Sequence, residues 1–334
     1  MQNRWRECLE KSGDTLVKSG NPAVIYFTNR DLLEKRLESP ERIRNFTEPR
    51  RITGKQQPDG SWKGPAGKKA AYPENHADLV ATFKAFRTLV EKYEFDRSSE
   101  VIENAAEFLL SFQTAEGDIR GFIANQYATY YTGYVLSLLI QAGYADDPRI
   151  ETGMNWLLSM RQDDGGWTIP ILTRYFDGKT MFRLTGSYDE PVEPDRSQPF
   201  SHNWTDMVLR AFSRHPAYRK SREVKASAVL LKSRFFKPDV YSSYRNASYW
   251  VRFVHWWPNL LTSLESLLLL GFPADDPDIS NGLSWFFENQ QPDGLWKQSY
   301  DGKPGAENKH DAVERAWLTL RICRMMKGFL SLKP

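Results

Sequence analysis

Four of the five histidines in this 334-residue chain, His76, His202, His255 and His310, fall within a few residues of the start of an apolar, helix-periodic run. Asp78, Asp206, Asp311 and Glu314 accompany them, as do the rings of Tyr127, Tyr130, Trp204, Trp250, Trp256 and Trp257. An imidazole beside a carboxylate moves a proton near neutral pH. Aromatic faces hold a cation or an isoprenoid, or stack on a sugar. On residue type, His202, Asp206, His255 and Glu314 are the candidate acid–base groups. His76, Asp78, Tyr127, Tyr130, Trp204, Trp250, Trp256 and His310 are the candidate substrate-binding set. A plainer role competes: helix starts attract Asn75, Ser201, Asn203, Asn308 and nearby acids as caps and dipole partners. No Cys/His spacing suits a metal, and no cofactor is expected.

Helices must position these residues. Leu79, Phe83, Phe86 and Val90 recur at helical spacing, as do Tyr127, Tyr131, Tyr134 and Leu138. Met207–Phe212, Leu260–Leu270 and Val313–Leu320 read as further apolar helices, and Asn21 caps one that Pro22 opens. No segment reads as a strand. Between the apolar helices lie amphipathic ones with a common ending. WLLSMRQDDGGW, from Trp156, and WFFENQQPDGLW, from Trp285, share a gapless register that pairs Gly153 with Gly282, Gln162 with Gln291 and Trp167 with Trp296. QQPDGSW (Gln56–Trp62) is a third copy. FLLSFQTAEGDIRG is a degraded fourth, with Ile119 near the Trp position, and the helix of ASAVLLKSRFFKPD lacks the ending. Each ending is expected to be structural. Asp-Gly makes a turn, because glycine accepts positive φ; the Trp lids the helix end and the Gln amide bonds exposed backbone. The period of roughly fifty to seventy residues suits helix pairs. Stacked about an axis, the apolar set makes an inner ring and the clamped set an outer one.

Composition sets the class. Apolar residues are 40% and aromatic residues 13%, enough for a large core, and a net charge of +3 demands no nucleic-acid partner. Cys8 and Cys323 stand at opposite ends, too few for a disulfide scaffold. The start, MQNRWRECLEK, has no apolar signal core, and LESLLLLGF is too short to span a membrane. A cytoplasmic protein is expected.

The motifs QQPDGSW, RQDDGGW and NQQPDGLW resemble the QW motifs of squalene–hopene and oxidosqualene cyclases, and the surrounding pattern is similar to the α/α toroids of protein prenyltransferase β subunits. The resemblance spans about residues 50–325. It implies an all-α (α/α)6 toroid of inner and outer helix rings around a central cavity over residues 49–334, with N-terminal helices over 1–48 that are either the first part of the ring or a small preceding bundle. It also exposes departures. The class II cyclase acid motif, DxDD before Thr-Ala, aligns with SHNWTDMVLRAF: Thr205 matches, but Ser201, His202, Asn203 and Trp204 stand at the acid positions, and no DxDD occurs elsewhere. DDPD at Asp275 reads as a cap. GKPGAENKHDAVERAW resembles the prenyltransferase segment near its zinc, yet Glu314 stands where a ligand His is expected, and no suitable Cys exists.

In such a ring all inner helices run the same way. Their starts share one rim, where the histidines, acids and rings converge and helix N-termini favour an anion. The long segment 166–200 is expected to fold over a mouth as a lid, with Arg174, Tyr175 and Arg183 reaching inward. Basic stretches at 42–69 and 214–237 are solvated faces or contacts to an anionic membrane or polyanion. The leading reading is a terpenoid-cyclase-like protein binding an isoprenoid or other hydrophobic ligand, with catalysis open. A polysaccharide lyase or hydrolase on the same architecture would instead need an open groove rich in Arg and Lys, and a non-catalytic scaffold a filled centre. Oligomeric state is not legible.

Overall fold

The computed structural model describes residues 2–37, 39, 41–65, 76–186, 189–241, 246–253, 256–301 and 309–332. Among them the chain forms fourteen α-helices: α1 (Gln2–Leu16), α2 (Pro22–Phe27), α3 (Glu41–Arg44), α4 (Thr47–Thr53), α5 (His76–Tyr93), α6 (Glu100–Leu110), α7 (Thr129–Leu139), α8 (Pro148–Ser159), α9 (Gly178–Gly186), α10 (His202–Arg214), α11 (Arg222–Lys232), α12 (Leu260–Leu269), α13 (Pro277–Asn289) and α14 (Lys309–Ser331). The fold is all-α apart from one short extended segment, β1 (Phe122–Asn125), which the periodicity did not signal. Two compact units divide the chain: residues 47–230, and residues 1–46 together with 231–334.

In the 47–230 unit, α5, α7 and α10 are the apolar helices, and α6 and α8 lay one amphipathic face on them. The closest pairing joins α7 to α10. Gly133 makes it possible, since a Cβ there would lie 2.8 Å from the Val208 Cα. Almost every residue of α10 is buried, including the polar Asn203, Thr205, Asp206 and Arg210, so each needs an internal partner.

In the other unit, α1 and α12 pack on α14, and the Trp5 ring lies 5.2 Å from that of Phe287. Asn21 caps α2 through the Ala23 and Val24 amides, as its position before Pro22 implied. Asp276 caps α13 in the same way, which accounts for the DDPD stretch.

The repeated ending proves to be one hydrogen-bonding unit built three times over. Each indole N–H donates to a carbonyl ten residues earlier, at the end of the preceding helix: Trp62 to Ile52 (2.7 Å), Trp167 to Leu157 (2.6 Å) and Trp296 to Phe286 (2.8 Å). Each Trp backbone N–H donates to a threonine hydroxyl on the next apolar helix: Thr82 (2.9 Å), Thr205 (2.8 Å) and Thr319 (3.1 Å). In the degraded copy Ile119 N–H still reaches Thr132 (3.0 Å), so the backbone half survives the loss of the indole.

The glutamine that closes the unit lies one position before the one the sequence register paired. Gln56, Gln113 and Gln290 donate to the turn carbonyls of Gly60, Gly117 and Gly294, and also to Val101, Arg149 and Cys8 in another helix. In the copy ending at Trp167 this position is Arg161, which bonds Gly165 O at 3.1 Å. Gln162 instead donates to the carbonyls of Asp195 and Gln198 and ties down the long segment. Gln162 and Gln291 do occupy equivalent positions, each giving its backbone N–H to the turn, to Gly166 and Leu295 (2.9 and 2.8 Å), but the side-chain amide that closes the unit comes from the residue before.

The turn glycine has two reasons to be glycine. Gly60 adopts φ +84°, and a Cβ on it would meet the Asn104 carbonyl oxygen at 2.2 Å. Gly117 and Gly294 oppose Thr152 and Lys11 in the same manner. The motif therefore caps its own helix and docks on the backbone of another, as α13 does on α1.

Candidate functional site

Aromatic rings form a continuous wall where α5, α7 and α10 meet. Phe122, on β1, stacks on Tyr131 with centroids 3.9 Å apart and planes 7° from parallel. Tyr131 contacts its neighbour Tyr130 at 4.5 Å, and Tyr130 contacts Trp204 at 4.6 Å. Phe83, from α5, meets Phe122, Tyr131 and Tyr134 edge-on at 5.5–5.7 Å. Helix periodicity brings these residues together: Tyr130, Tyr131 and Trp204 occupy the first turn of their helices, and β1 leads into α7. Phe83, Phe122, Tyr130, Tyr134 and Trp204 are buried and Tyr131 is half-buried; π faces are the surfaces that suit a hydrocarbon chain or a positive charge.

Polar groups border the wall. Ser201 Oγ caps α10 by accepting from Trp204 N–H, and Thr205 is engaged by the Trp167 backbone. His202 and Asn203 lie between them, each 4% exposed. His202 is the one imidazole among Ser201, His202, Asn203 and Trp204. One turn on, Asp206 is fully buried and accepts from Arg210 at 2.6 Å. The Arg210 guanidinium stacks 4.8 Å from the centre of the Tyr134 ring, and the Tyr134 hydroxyl donates to Glu91 at 2.6 Å. Asp206 is thus a buried carboxylate ion-paired within its own helix.

The remaining sequence candidates separate into distinct places. His76 Nδ1 donates to the Gly121 carbonyl (2.8 Å), which steers the chain into β1. Asp78 accepts from Lys63 Nζ (2.7 Å) and Gly64 N–H (2.9 Å). Burial alone would raise its pKa, but the ammonium and the amide outweigh burial and hold it below the usual carboxylate value. The Tyr127 hydroxyl donates to Glu116 (2.8 Å) and lies 3.2 Å from Glu193, with the Arg120 guanidinium 4.8 Å from the ring centre. Burial, with Glu116 next, pushes this phenol well above its ordinary pKa, so it stays protonated and is not a base.

Trp250, Trp256, Glu314 and His310 belong to the other unit. Trp250 is buried, with its indole N–H on the Lys237 carbonyl at 2.9 Å, a packing role. Trp256 and Trp257 stack on each other at 4.7 Å and are half-buried. Glu314 is half-buried on α14. His310 stands at the start of α14, but its side chain is outside the described residues, and His255 lies outside them altogether.

The long segment does not turn its aromatic residue inward. Tyr175 is 96% exposed, Arg174 donates to the Glu193 carbonyl, and Arg183 pairs with Asp189. In the basic stretch, Lys232 is bound to Asp276 and Asp278, Arg234 to the Pro238 carbonyl and Lys237 to the Ser233 carbonyl. No helix among the described residues is long and apolar enough to cross a membrane, and no group of three or more His, Cys, Asp or Glu among them is arranged to hold a metal ion.

Sequence reasoning placed Tyr130 and Trp204 at the site but missed Phe83, Phe122, Tyr131 and Arg210. The signals were a Tyr-Tyr doublet at a helix start and an Arg four residues after a buried-register Asp.

No family model matches the sequence. Among solved structures the chain is similar to MstE, a type II terpene cyclase from Scytonema. A variant of MstE in complex with geranylgeranyl dihydroxybenzoate, its substrate, matches at 14% identity with a TM-score of 0.52, over 99% of this chain and 99% of that one. A second variant, in complex with merosterolic acid A, its product, matches at 13% identity with a TM-score of 0.50, over 99% and 98%. At these identities the likeness establishes a shared helical fold.

Proposed function

We propose that this protein is a terpenoid-cyclase-like protein that binds an isoprenoid chain against the α5–α7–α10 wall. The observation that carries the reading is the unbroken row of ring contacts from Phe122 through Tyr131 and Tyr130 to Trp204, bordered by the buried His202 and Asn203. A row of π faces matches an extended hydrocarbon better than a sugar chain, which would also need hydrogen-bond donors along its length. The shared fold with MstE, whose substrate carries a geranylgeranyl group, supports the same ligand class.

The chemistry open to this site differs from that of a DxDD cyclase. Protonating a carbon–carbon double bond needs a stronger acid than an imidazolium. His202 is therefore assigned to proton transfer at an oxygen of the ligand. Asp206, held by Arg210, is a positioning residue in this reading.

Mass spectrometry of small molecules released from the purified native protein tests the reading. An isoprenoid is expected from the unmodified chain and should be lost from Tyr130→Ala and Trp204→Ala variants that keep their helical circular dichroism. Co-purifying oligouronates would overturn it in favour of the carbohydrate reading. Failure to bind any added C15–C20 isoprenoid would favour the scaffold.

A further inference from the structure

Arg87 is a half-buried cation whose Nη1 is fully shielded and has no hydrogen-bond partner. It makes no ion pair with any described residue, in contrast to Arg210. Arg210 is its counterpart on α10. Each arginine follows by five residues the threonine that receives the clamp backbone, Thr82 for Arg87 and Thr205 for Arg210. Arg210 is neutralised by Asp206 four residues before it. On α5 that position is Phe83, so no carboxylate is available one turn back.

The next acid along the same stripe, Glu91, is engaged by the Tyr134 hydroxyl at 2.6 Å. Arg87 is thus bracketed on one helix face by Phe83, which belongs to the aromatic wall, and by Glu91, both touching Tyr134. A guanidinium nitrogen shielded from water without a partner is an unmet donor that an acceptor satisfies.

We propose that Arg87 binds an anionic oxygen head, carboxylate or phosphate, of the ligand whose hydrocarbon tail lies on the wall. The inference rests on the isoprenoid reading above and narrows it to amphipathic, anionic isoprenoids. The guanidinium fork suits either head by paired N–H donors, and its adjacency to Phe83 puts head and tail recognition one helical turn apart.

The test is binding of geranylgeraniol, geranylgeranoic acid and geranylgeranyl diphosphate to the full chain by titration calorimetry, with inorganic diphosphate alone as a control. The unmodified protein is expected to bind at least one of the anionic compounds ten times or more tighter than the alcohol, and which one distinguishes carboxylate from phosphate. Arg87→Met should abolish that preference while leaving the affinity for the alcohol unchanged, and Arg87→Lys should keep much of it. Because the charge is unpaired in the free protein, Arg87→Met is expected to keep or raise the melting temperature. Equal affinity for alcohol and anions in the unmodified protein overturns the assignment of Arg87 and leaves the isoprenoid reading standing. A preference that survives Arg87→Met has the same consequence. Absence of binding by all three isoprenoids overturns both.

Discussion

Replacing Asp206 and Arg210 separately and together decides whether Asp206 is a proton carrier or a structural counterion. The two side chains are 0% and 3% exposed and meet at 2.6 Å within one helix. Asp206→Leu leaves the Arg210 guanidinium in the interior with the Tyr134 ring but without its carboxylate. Breaking one half of a buried pair costs about 3–5 kcal/mol, because the remaining charge is uncompensated. Arg210→Met strands the carboxylate and should cost a similar amount. The double variant Asp206→Leu/Arg210→Met removes both charges and keeps approximate volume, so its cost should fall far below the combined cost of the singles. A single-site loss of this size corresponds to a melting-temperature drop on the order of 10 °C for a unit of this size. Scanning calorimetry and urea unfolding of the four proteins read both quantities, with the transition followed by more than one probe because the chain forms two compact units. A cost under about 1 kcal/mol for Asp206→Leu, or strictly additive singles, would refute the counterion role and return Asp206 to the catalytic candidates.

Two further outcomes follow from the packing. Trp167→Phe keeps most of the buried ring but removes the donor to the Leu157 carbonyl at 2.6 Å, and should cost about 1–3 kcal/mol in urea unfolding, whereas Trp62, which is slightly less buried, should be no more sensitive. Burial raises the thiols of Cys8 and Cys323 to about 12, so the folded state keeps them protonated. Their contribution to stability is complete below the ordinary thiol value and declines as pH rises from about 9 towards 12. Neither thiol should react with a disulfide reagent at pH 8 until the chain unfolds, and fast labelling of the native protein would contradict the buried placement.

How much of this was legible beforehand varies by level. The all-α class and the alternation of apolar and amphipathic helices were readable, because a 3.6-residue period and a repeated Asp-Gly-Trp ending are properties of the chain alone. So were the caps at Asn21 and Asp276, whose partners lie two or three residues away. The repeat was readable as structural, but its key glutamine was not. In the intact copies Gln56 and Gln290 are identified only by the carbonyls of Val101 and Cys8, which are remote in sequence. Adjacent glutamines in QQPDG look equivalent until the turn forms, when one spends its backbone N–H on the turn and the other its side chain on another helix.

The candidate site divides in the same way. Tyr130 and Trp204 could be nominated from their places at helix starts, since aromatic rings there are conspicuous. Their contact at 4.6 Å, and the stacking of Phe122 on Tyr131, depend on how α7 meets α10 over Gly133 and how β1 folds back. Asp206 and Arg87 show the limit most clearly. A sequence records a residue's type and its neighbours along the chain, so it marked Asp206 as an acid of possible catalytic use and passed over Arg87. Whether a charge is compensated depends on what lies within a few ångströms in space, and the steep distance and burial dependence of that interaction leaves the decision to tertiary packing. Sequence alone thus marked the main apolar and amphipathic helices and the caps at Asn21 and Asp276, whereas the packing of those helices determined which charges meet a partner.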